Sequence, residues 1–415
     1  MQDDKIQFTK THKSDDKAAR VPTTEKQRHL ILDILRGFAL MGIALANYPE
    51  FALWTFLDPA QQAAMPTAYA DRVVRFLQYL LVDGKFYTIF SLLFGVGFSL
   101  ILSRHGVSLF LRRMFILVCI GFLHLMFIWS GDILLLYAVG GLLLPLFIRL
   151  SDKSLLCVAA LLVFIPVVLD ALTEFCDIDF ASPLYDAWWR TASAQGINED
   201  NFASWLRDAH SYPQMFAFLM QGAVERMWEF VEGHRLPKVL GLFIVGYVIG
   251  KNRLYARLSS LPLRRLFFFS LLVGVPTSLL YAWSAVSSHP WGGTIHSLLY
   301  SVSVIPLAFA YISAICLLCK HNANRSVFRM LAAPGRMALS NYICQSLIGI
   351  FLFYGLGFGF GTSLGLTHIV LIAFAVSVLQ MFTSRFWLSS FRFGPLEWLW
   401  RMFTYGRYFP IRDIR

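Results

Sequence analysis

The sequence predicts an all-α, polytopic integral membrane protein: a helical bundle with about ten transmembrane helices and both termini in the cytoplasm. Of its 415 residues, 57% are hydrophobic and 15% are charged, whereas an average soluble domain has about 25% charged residues. The apolar stretches are long and continuous, while a membrane β-barrel would show short segments of alternating polarity. This composition argues against a soluble enzyme, a nucleic-acid-binding protein and a disordered chain.

Ten apolar stretches are the predicted spans. Most of them reach the roughly 20 residues that a helix needs to cross the bilayer core. They are 30–47, 86–103, 113–129, 132–149, 154–173, 237–251, 264–285, 295–319, 338–358 and 364–387. The apolar stretch 76–82 is too short to cross, and we expect it to lie at the interface as a helix that leads into the second span.

The basic residues predict the orientation of these spans. Cytoplasmic segments of membrane proteins carry an excess of lysine and arginine, so alternate connections are expected to be cytoplasmic. Six such segments hold 27 of the 36 basic residues: 1–29, 104–113, 149–153, 251–265, 320–336 and 385–415. The net charge of +11 therefore reflects orientation and does not indicate nucleic-acid binding.

No region outside the spans indicates a soluble domain of substantial size, so residues 30–415 are expected to form one membrane domain. Residues 1–29 are predicted to be a disordered cytoplasmic tail. The segment 174–236 is expected to form a partly helical cap on the outer surface, and 388–415 a cytoplasmic interfacial segment. We find no convincing internal repeat, which makes a symmetric secondary transporter less expected. Metalloprotease, Walker A and dinucleotide-binding motifs are absent, so we expect no metal and no tightly bound cofactor.

Charged residues inside the spans are the main functional candidates, because they are costly there and usually face the bundle interior. Asp33 and Arg36 are three positions apart and share one face of the first span, near its inner end. Two interpretations remain open. The pair is either a helix-terminal acid with an arginine that reaches the headgroups, or part of an inner pocket in which Arg36 meets an anionic donor.

A second set of candidates lies at the outer ends of spans two to four. Lys85 either extends to the surface or points into an outer-facing cavity. His124 lies about 9 Å below the turn at Ser130, where it is either a helix-packing residue or a general base or acid. Asp132 would cap the next helix, and the tight turn also holds it near His124, so that it could orient the imidazole.

A third set lies on the inner side. Arg336 opens the ninth span, and Asn341 and Gln345 share a face that a membrane helix turns toward protein or water. Glu397 and Arg401 are four positions apart in a tryptophan-rich segment. They form either an ion pair on an interfacial helix or part of a lid over an inner donor site.

Five stretches, in order along the chain, resemble the YeiB family of bacterial inner-membrane proteins, which is classed as a domain of unknown function. They are LDILRGFALMGIALAN (32–47), KFYTIFSLLFGVG (85–97), GFLHLMFIWSGDILLLYAVGGL (121–142), GRMALSNYICQSLIGIFLFYGLG (335–357) and GPLEWLWRMFTYG (394–406). The resemblance implies a location in the bacterial cytoplasmic (inner) membrane. By motif position it also implies that the family's signature residues include Asp33, Arg36, Lys85, His124, Asp132, Arg336, Glu397 and Arg401.

The first helix of this family is similar to that of membrane acyltransferases that modify envelope or lumenal sugars, among them the lysosomal heparan glucosaminide acetyltransferase. The similarity implies a cytoplasmic acyl-CoA donor, which would be a substrate and not a bound cofactor. It also implies an acceptor, an envelope glycan or a lipid, at the outer face. The expected partners are therefore the lipid bilayer and this acceptor, with no nucleic acid.

The leading hypothesis is thus an acyltransferase-like membrane protein. His124 would act as base, Asp132 would orient it, and Lys85 would stabilise negative charge on the carbonyl oxygen. Donor binding is assigned to Asp33, Arg36, Arg336, Asn341, Gln345, Glu397 and Arg401. Intramembrane charges also mark permeation paths, so the alternative is a transporter or exporter of a small polar or lipid-linked solute. A non-catalytic membrane partner is a third possibility.

Overall fold

The computed structural model of the chain describes residues 30–258, 260–322 and 326–412. The predicted tail 1–29 and the last three residues of the predicted segment 388–415 lie outside this range. Within it, sixteen α-helices follow one another, and an isolated bridge joins Phe391 to Arg412. The helices are α1 Leu30–Phe51, α2 Pro59–Ala63, α3 Ala68–Leu81, α4 Lys85–Phe127, α5 Leu134–Leu143, α6 Asp152–Cys176, α7 Ser182–Ala194, α8 Glu199–Asp208, α9 Tyr212–Glu232, α10 Arg235–Lys251, α11 Leu263–Val286, α12 Gly292–Asn322, α13 Ser326–Arg336, α14 Ala338–Phe353, α15 Leu366–Ser390 and α16 Pro395–Tyr405.

The all-α polytopic prediction is confirmed, and each of the ten predicted spans falls on helix. Among the described residues, six continuous helical segments are long and apolar enough to cross a membrane. A seventh crossing is added if α13 and α14, which meet at a bend of 82°, are taken as one span. The predicted interfacial stretch 76–82 lies in α3, where only Val82 follows the end of the helix.

Two of the predicted spans are the two arms of α4, which folds back on itself at Gly106. This glycine has φ 74° and ψ −179°, a conformation that glycine adopts without the steric penalty of a Cβ. The rings of Phe98 and Phe110 are only 4.4 Å apart, whereas twelve residues of straight helix would separate them by about 18 Å. The two arms of α4 are therefore antiparallel and return Lys85 and His124 to the same end of the bundle.

Helix α1 lies at the centre of the bundle and contacts α4, α12, α13, α14 and α15. Its closest approach is to α13. A Cβ on Gly37 would overlap the carbonyl group of Leu331, and a Cβ on Gly335 would overlap the carbonyl group of Asp33. Small residues permit such backbone contact between membrane helices, and here the contact brings Arg36 and Arg336 to one place.

We call the end of the bundle that contains Asp33, Arg104 and Arg336 the inner end, because the basic residues predict that it is cytoplasmic. The opposite, outer end carries α7, α8 and α9, which lie within the predicted cap 174–236. Helix α9 packs on the turn between α4 and α5: a Cβ on Gly222 would overlap the side chain of Ser130. The cap therefore covers the turn that holds Asp132.

Candidate functional site

A cavity of about 300 Å³ opens at the inner end, between α1, α4, α5, α13, α14 and α16. Its interior is largely apolar and aromatic, with Leu40, Ile43, Phe90, Phe94 and Tyr137 among its walls. Ligand pockets commonly have volumes from about 300 Å³ upward and combine apolar walls with a few polar groups. The cavity therefore has the size and character of a small-molecule site.

The rim of this cavity is strongly cationic. Five guanidinium groups and one imidazole line it, against two carboxylates, those of Asp33 and Glu397. The basic residues are Arg36, Arg104, His105, Arg113, Arg336 and Arg401. An apolar cavity with this rim suits an anionic ligand that carries an apolar arm, because arginine pairs well with phosphate and carboxylate groups.

The two carboxylates offset only part of this positive charge. The Asp33 carboxylate accepts a hydrogen bond of 2.9 Å from Arg36, as the spacing of three predicts. The Glu397 carboxylate accepts from the backbone N–H of Leu339 at 2.7 Å, from the N–H of Ser340 at 3.1 Å and from the Ser340 hydroxyl at 2.5 Å. It therefore caps the first turn of α14, and burial raises its pKa despite these bonds.

Three rim residues were not singled out from the sequence. Arg104 and Arg113 contributed only to the charge of the connection 104–113, and His105 was given no role. The fold of α4 at Gly106 brings all three residues to the cavity. The guanidinium of Arg113 lies 3.6 Å from the ring centroid of Trp400. These basic residues cluster around Gly106, and this cluster could have identified them as candidates. The sequence alone does not show which helices surround that turn.

A second polar site is fully buried near the outer end. The Nδ1 atom of His124 lies 2.8 Å from Oδ1 of Asp132, and neither side chain is exposed. The other carboxylate oxygen of Asp132 accepts the backbone N–H of Leu135 at 2.7 Å. Asp132 thus has both geometries predicted for it, the cap of the next helix and contact with His124.

The imidazole has a third partner that was not assigned a role from the sequence. Its Nε2 atom lies 3.0 Å from Oγ of Ser346 on α14, and Ser346 is 1% exposed. If Asp132 is ionised, its carboxylate only accepts hydrogen bonds, and a neutral His124 donates to it from Nδ1. Nε2 is then the acceptor, and the Ser346 hydroxyl donates to it. In the sequence, Ser346 is one of several polar residues in the ninth predicted span, together with Asn341 and Gln345.

One aromatic side chain connects the cavity to this buried site. Tyr342 lines the cavity, and its ring centroid lies 5.3 Å from that of His124. Its hydroxyl accepts the N–H of Ile133 at 3.3 Å, next to Asp132. The deep end of the inner cavity is therefore one side-chain layer away from His124.

Lys85 lies at the same end of the bundle as His124, but the two residues have different partners. Lys85 is fully buried, and its ammonium donates to the carbonyl of Tyr79 at 2.6 Å and lies 5.0 Å from the ring centroid of Tyr281. The Tyr281 hydroxyl in turn donates to Asp83 at 2.5 Å. Lys85 therefore belongs to a cluster between α3, α4 and α11.

Asn341 and Gln345 face α15. The Asn341 amide donates to the Ser384 hydroxyl at 2.9 Å, and the Gln345 amide donates to Gln380 at 2.8 Å. These bonds join two helices in a part of the bundle where water cannot serve as partner. The predicted shared face is thus present, and it is used for helix packing.

The turn above His124 is held from the outside by Arg226 of α9. Its guanidinium donates to the carbonyl of Ser130 at 2.7 Å and to Glu50 at 3.1 Å, and it forms an ion pair with Glu229. Burial and the nearby carboxylates of Glu229 and Glu50 raise the pKa of Glu225 to about 8. A charged layer therefore covers the buried site on its outer side.

Comparison with known proteins places this arrangement in context. Residues 249–407 match a family model described as "Protein of unknown function (DUF418)". The chain is 28% identical to the uncharacterized protein YxaH of Bacillus subtilis (strain 168), over 94% of this chain and 97% of the relative. It is 30% identical to an uncharacterized 39.9 kDa protein in the amylase 3' region of Bacillus acidopullulyticus, over 94% and 97%. It is 29% identical to the uncharacterized protein YeiB of Escherichia coli (strain K12), over 91% and 96%. No solved structure matches the chain.

Proposed function

The chain belongs to the YeiB-like family of membrane proteins that contain the DUF418 region, and from this premise we propose that it is a membrane acyltransferase. It would move an acyl group from a cytoplasmic acyl-CoA to an acceptor at the outer face. One observation carries the proposal: an apolar cavity with an arginine rim ends one aromatic side chain, Tyr342, away from a buried His124–Asp132 pair.

The two halves of an acyl-CoA suit the two parts of the cavity. Its phosphates would lie at the rim among Arg36, Arg336 and Arg401, where charge-assisted hydrogen bonds are strongest. Its acyl-bearing arm would lie in the apolar interior. The thioester would then approach Tyr342 and, behind it, His124.

His124 has the geometry of a general base for this reaction. Asp132 favours the tautomer in which Nε2 carries no proton and can accept one. The buried carboxylate also stabilises the imidazolium that then forms. The acceptor hydroxyl or amine would arrive from the outer side, beneath the layer formed by Arg226 and Glu50. The arrangement thus supports a donor and an acceptor on opposite sides of one base.

Purified protein in lipid nanodiscs tests this proposal. Acetyl-, succinyl- and palmitoyl-CoA are each supplied, and release of free CoA thiol is followed with and without an extract of bacterial envelope glycans and lipids. We expect one donor to be consumed by the wild type, and consumption to fall at least 100-fold in His124→Ala. A wild type that neither binds nor consumes any of the three donors would contradict the proposal.

A transporter is the second candidate, and a separate cluster of buried and partly buried charged groups favours it. Besides Lys85, the ammonium of Lys238 lies 4.8 Å from the ring centroid of Tyr300, and His234 pairs with Asp170 at 3.1 Å. Such groups commonly mark ion or solute paths in membrane bundles. Solute uptake into proteoliposomes without acyl-CoA, lost in Lys238→Met and retained in His124→Ala, would favour transport over acyl transfer.

A further inference from the structure

Within the proposed acyl transfer, we infer that Ser346 is the nucleophile, and that it carries the acyl group as an ester between the inner donor and the outer acceptor. The inference rests on the proposed function and goes beyond it, because His124 acting alone as a base requires no covalent intermediate. Ser346, His124 and Asp132 form one hydrogen-bonded chain, with steps of 3.0 Å and 2.8 Å. This is the connectivity in which a serine hydroxyl is activated for acyl transfer.

The hydroxyl of Ser346 lies closer to His124 than to the carbonyl group of its own helix. A buried serine in a helix usually donates to the carbonyl four residues earlier. Ser377 on α15 does so at 2.8 Å. The same contact of Ser346, to the carbonyl of Tyr342, measures 3.4 Å and is longer than its bond to His124. The orientation of Ser346 is therefore set by the imidazole.

Ser346 also lies between the two compartments. Tyr342, one helical turn before it, lines the inner cavity. One turn after it, Gly349 packs on Phe51, whose ring stacks on Trp129 at 4.0 Å. These rings lie beneath the turn at Ser130 that Arg226 holds. A group attached to Ser346 could thus be received from the inner side and released toward the outer side.

The reaction balances without any further reactant. Ser346 Oγ forms a bond to the carbonyl carbon of the acyl thioester and gives its proton to His124 Nε2. The carbon–sulfur bond breaks, and the leaving thiolate takes that proton and departs as CoA thiol. The oxygen of an acceptor hydroxyl then forms a bond to the carbonyl carbon of the Ser346 ester and gives its proton to His124. The bond between that carbon and Ser346 Oγ breaks, and His124 returns the proton to Oγ. The sum is acyl thioester plus alcohol giving ester plus thiol.

The covalent step explains how a donor and an acceptor on opposite faces can react at one point. The bulky CoA never has to leave the inner rim, and the acceptor never has to reach the cavity. Only the acyl group passes Tyr342, whose ring separates the cavity from His124. Donor and acceptor therefore need not be bound at the same time.

Trapping the ester tests the inference. Full-length protein in nanodiscs is incubated without acceptor with each of [¹⁴C]acetyl-, [¹⁴C]succinyl- and [¹⁴C]palmitoyl-CoA, quenched in acid, and analysed by peptide mass spectrometry. We expect one acyl group per chain on the peptide that contains Ser346, stable to neutral hydroxylamine. Label and transfer should fall at least 100-fold in Ser346→Ala. In Ser346→Cys the label should become a thioester that neutral hydroxylamine removes.

Ser377→Ala is the matched control, since it also removes a buried helical hydroxyl, and it should retain label and transfer within threefold. If Ser346→Ala is not monodisperse by size exclusion, Ser346→Cys alone decides the test. Transfer within threefold of the wild type in Ser346→Ala, or label on His124, overturns the ester and leaves the acyltransferase proposal standing. A wild type that consumes no thioester and binds none overturns both.

Discussion

The imidazole of His124 and the hydroxyl of Ser346 lie 3.0 Å apart, although 222 positions separate the two residues in the chain. The contact joins the second arm of α4 to α14 at a depth where neither side chain is exposed to solvent. Water cannot satisfy polar groups there, so each of the two is the natural partner of the other.

The role of Asp132 can be separated into its helix cap and its contact with His124. Asparagine caps helices about as well as aspartate does, but it cannot stabilise an imidazolium by charge. We expect Asp132→Asn to lower the rate of CoA release by about 10²–10⁴-fold with a change in unfolding free energy below about 1 kcal/mol. Initial rates and thermal melting curves of the same samples measure the two effects.

Asp132→Ala provides the comparison, because it removes the cap as well as the charge. It should lose a similar factor in rate and, in addition, about 1 kcal/mol of stability. If Asp132→Asn retained wild-type rates, orientation of His124 by the carboxylate would play no part in the reaction.

The arginine rim predicts a binding defect. A hydrogen bond to a charged group contributes about 1.5–3 kcal/mol, so Arg336→Ala should raise the KM for acyl-CoA by about 10–100-fold. The acyl-pantetheine analogue, which lacks the nucleotide phosphates, should be affected much less. Steady-state kinetics with both substrates measure the difference.

The control for this prediction is Arg72→Ala, which removes an exposed arginine on α3, and it should leave both KM values unchanged. An equal loss for acyl-CoA and the analogue would instead show that Arg336 supports the fold and does not bind phosphate.

The close approach of α1 and α13 predicts a large packing effect. A Cβ on Gly335 would overlap the carbonyl group of Asp33, and overpacking of this kind costs about 1–3 kcal/mol. We expect Gly335→Ala to lower the melting temperature in detergent and to weaken donor binding, because it displaces Arg336 from Arg36.

Gly97→Ala is the matched substitution. It also lies in a helix that lines the cavity, but no atom lies within 4 Å of the added Cβ. It should keep or slightly raise the melting temperature, since alanine stabilises a helix interior by about 1 kcal/mol relative to glycine. Equal melting temperatures for the two variants would contradict the proposed packing constraint.

The outer cap should be sensitive to pH through Glu225. Its pKa is raised from an ordinary 4.5 to about 8 by burial and by the carboxylates of Glu229 and Glu50. The folded protein therefore retains a proton between these values that the unfolded chain has lost. Stability contributed by this proton is present at low pH and is lost as the pH rises toward 8.

We expect the melting temperature of the wild type to fall between pH 5 and pH 8, and that of Glu225→Gln to fall less. Glu199→Gln, at the exposed start of α8, is the control and should follow the wild type. Parallel curves for all three proteins would show that Glu225 does not titrate in this range.

Much of the fold follows from local sequence. The ten apolar stretches and the basic connections predict the helices, since a bilayer requires apolar segments of fixed length. Contacts between residues that are close in the sequence could also be predicted. Asp33 and Arg36 meet because the helical period places them on one face, and His124 and Asp132 meet because a tight turn joins their helices.

Other parts of the site could not be predicted in this way. No local pattern predicts that Lys85 contacts Tyr79 and Tyr281 and not the partners of His124. The sequence predicted an ion pair or a lid for Glu397 and did not predict that the Glu397 carboxylate caps α14. Both contacts depend on which helices are neighbours, and the hydropathy of the sequence does not predict this.

The sequence by itself therefore determined the class of protein, the helices, their expected orientation and the contacts between residues close in the chain. Only the tertiary structure decided that Arg36, Arg113 and Arg336 surround one cavity, and that Ser346 meets His124. The physical reason is that lipid is as apolar as the helix surfaces it meets. Hydrophobicity thus fixes that a helix spans the membrane but not how it is rotated. Close glycine contacts and buried hydrogen bonds set that rotation, and they are visible only once the helices are packed.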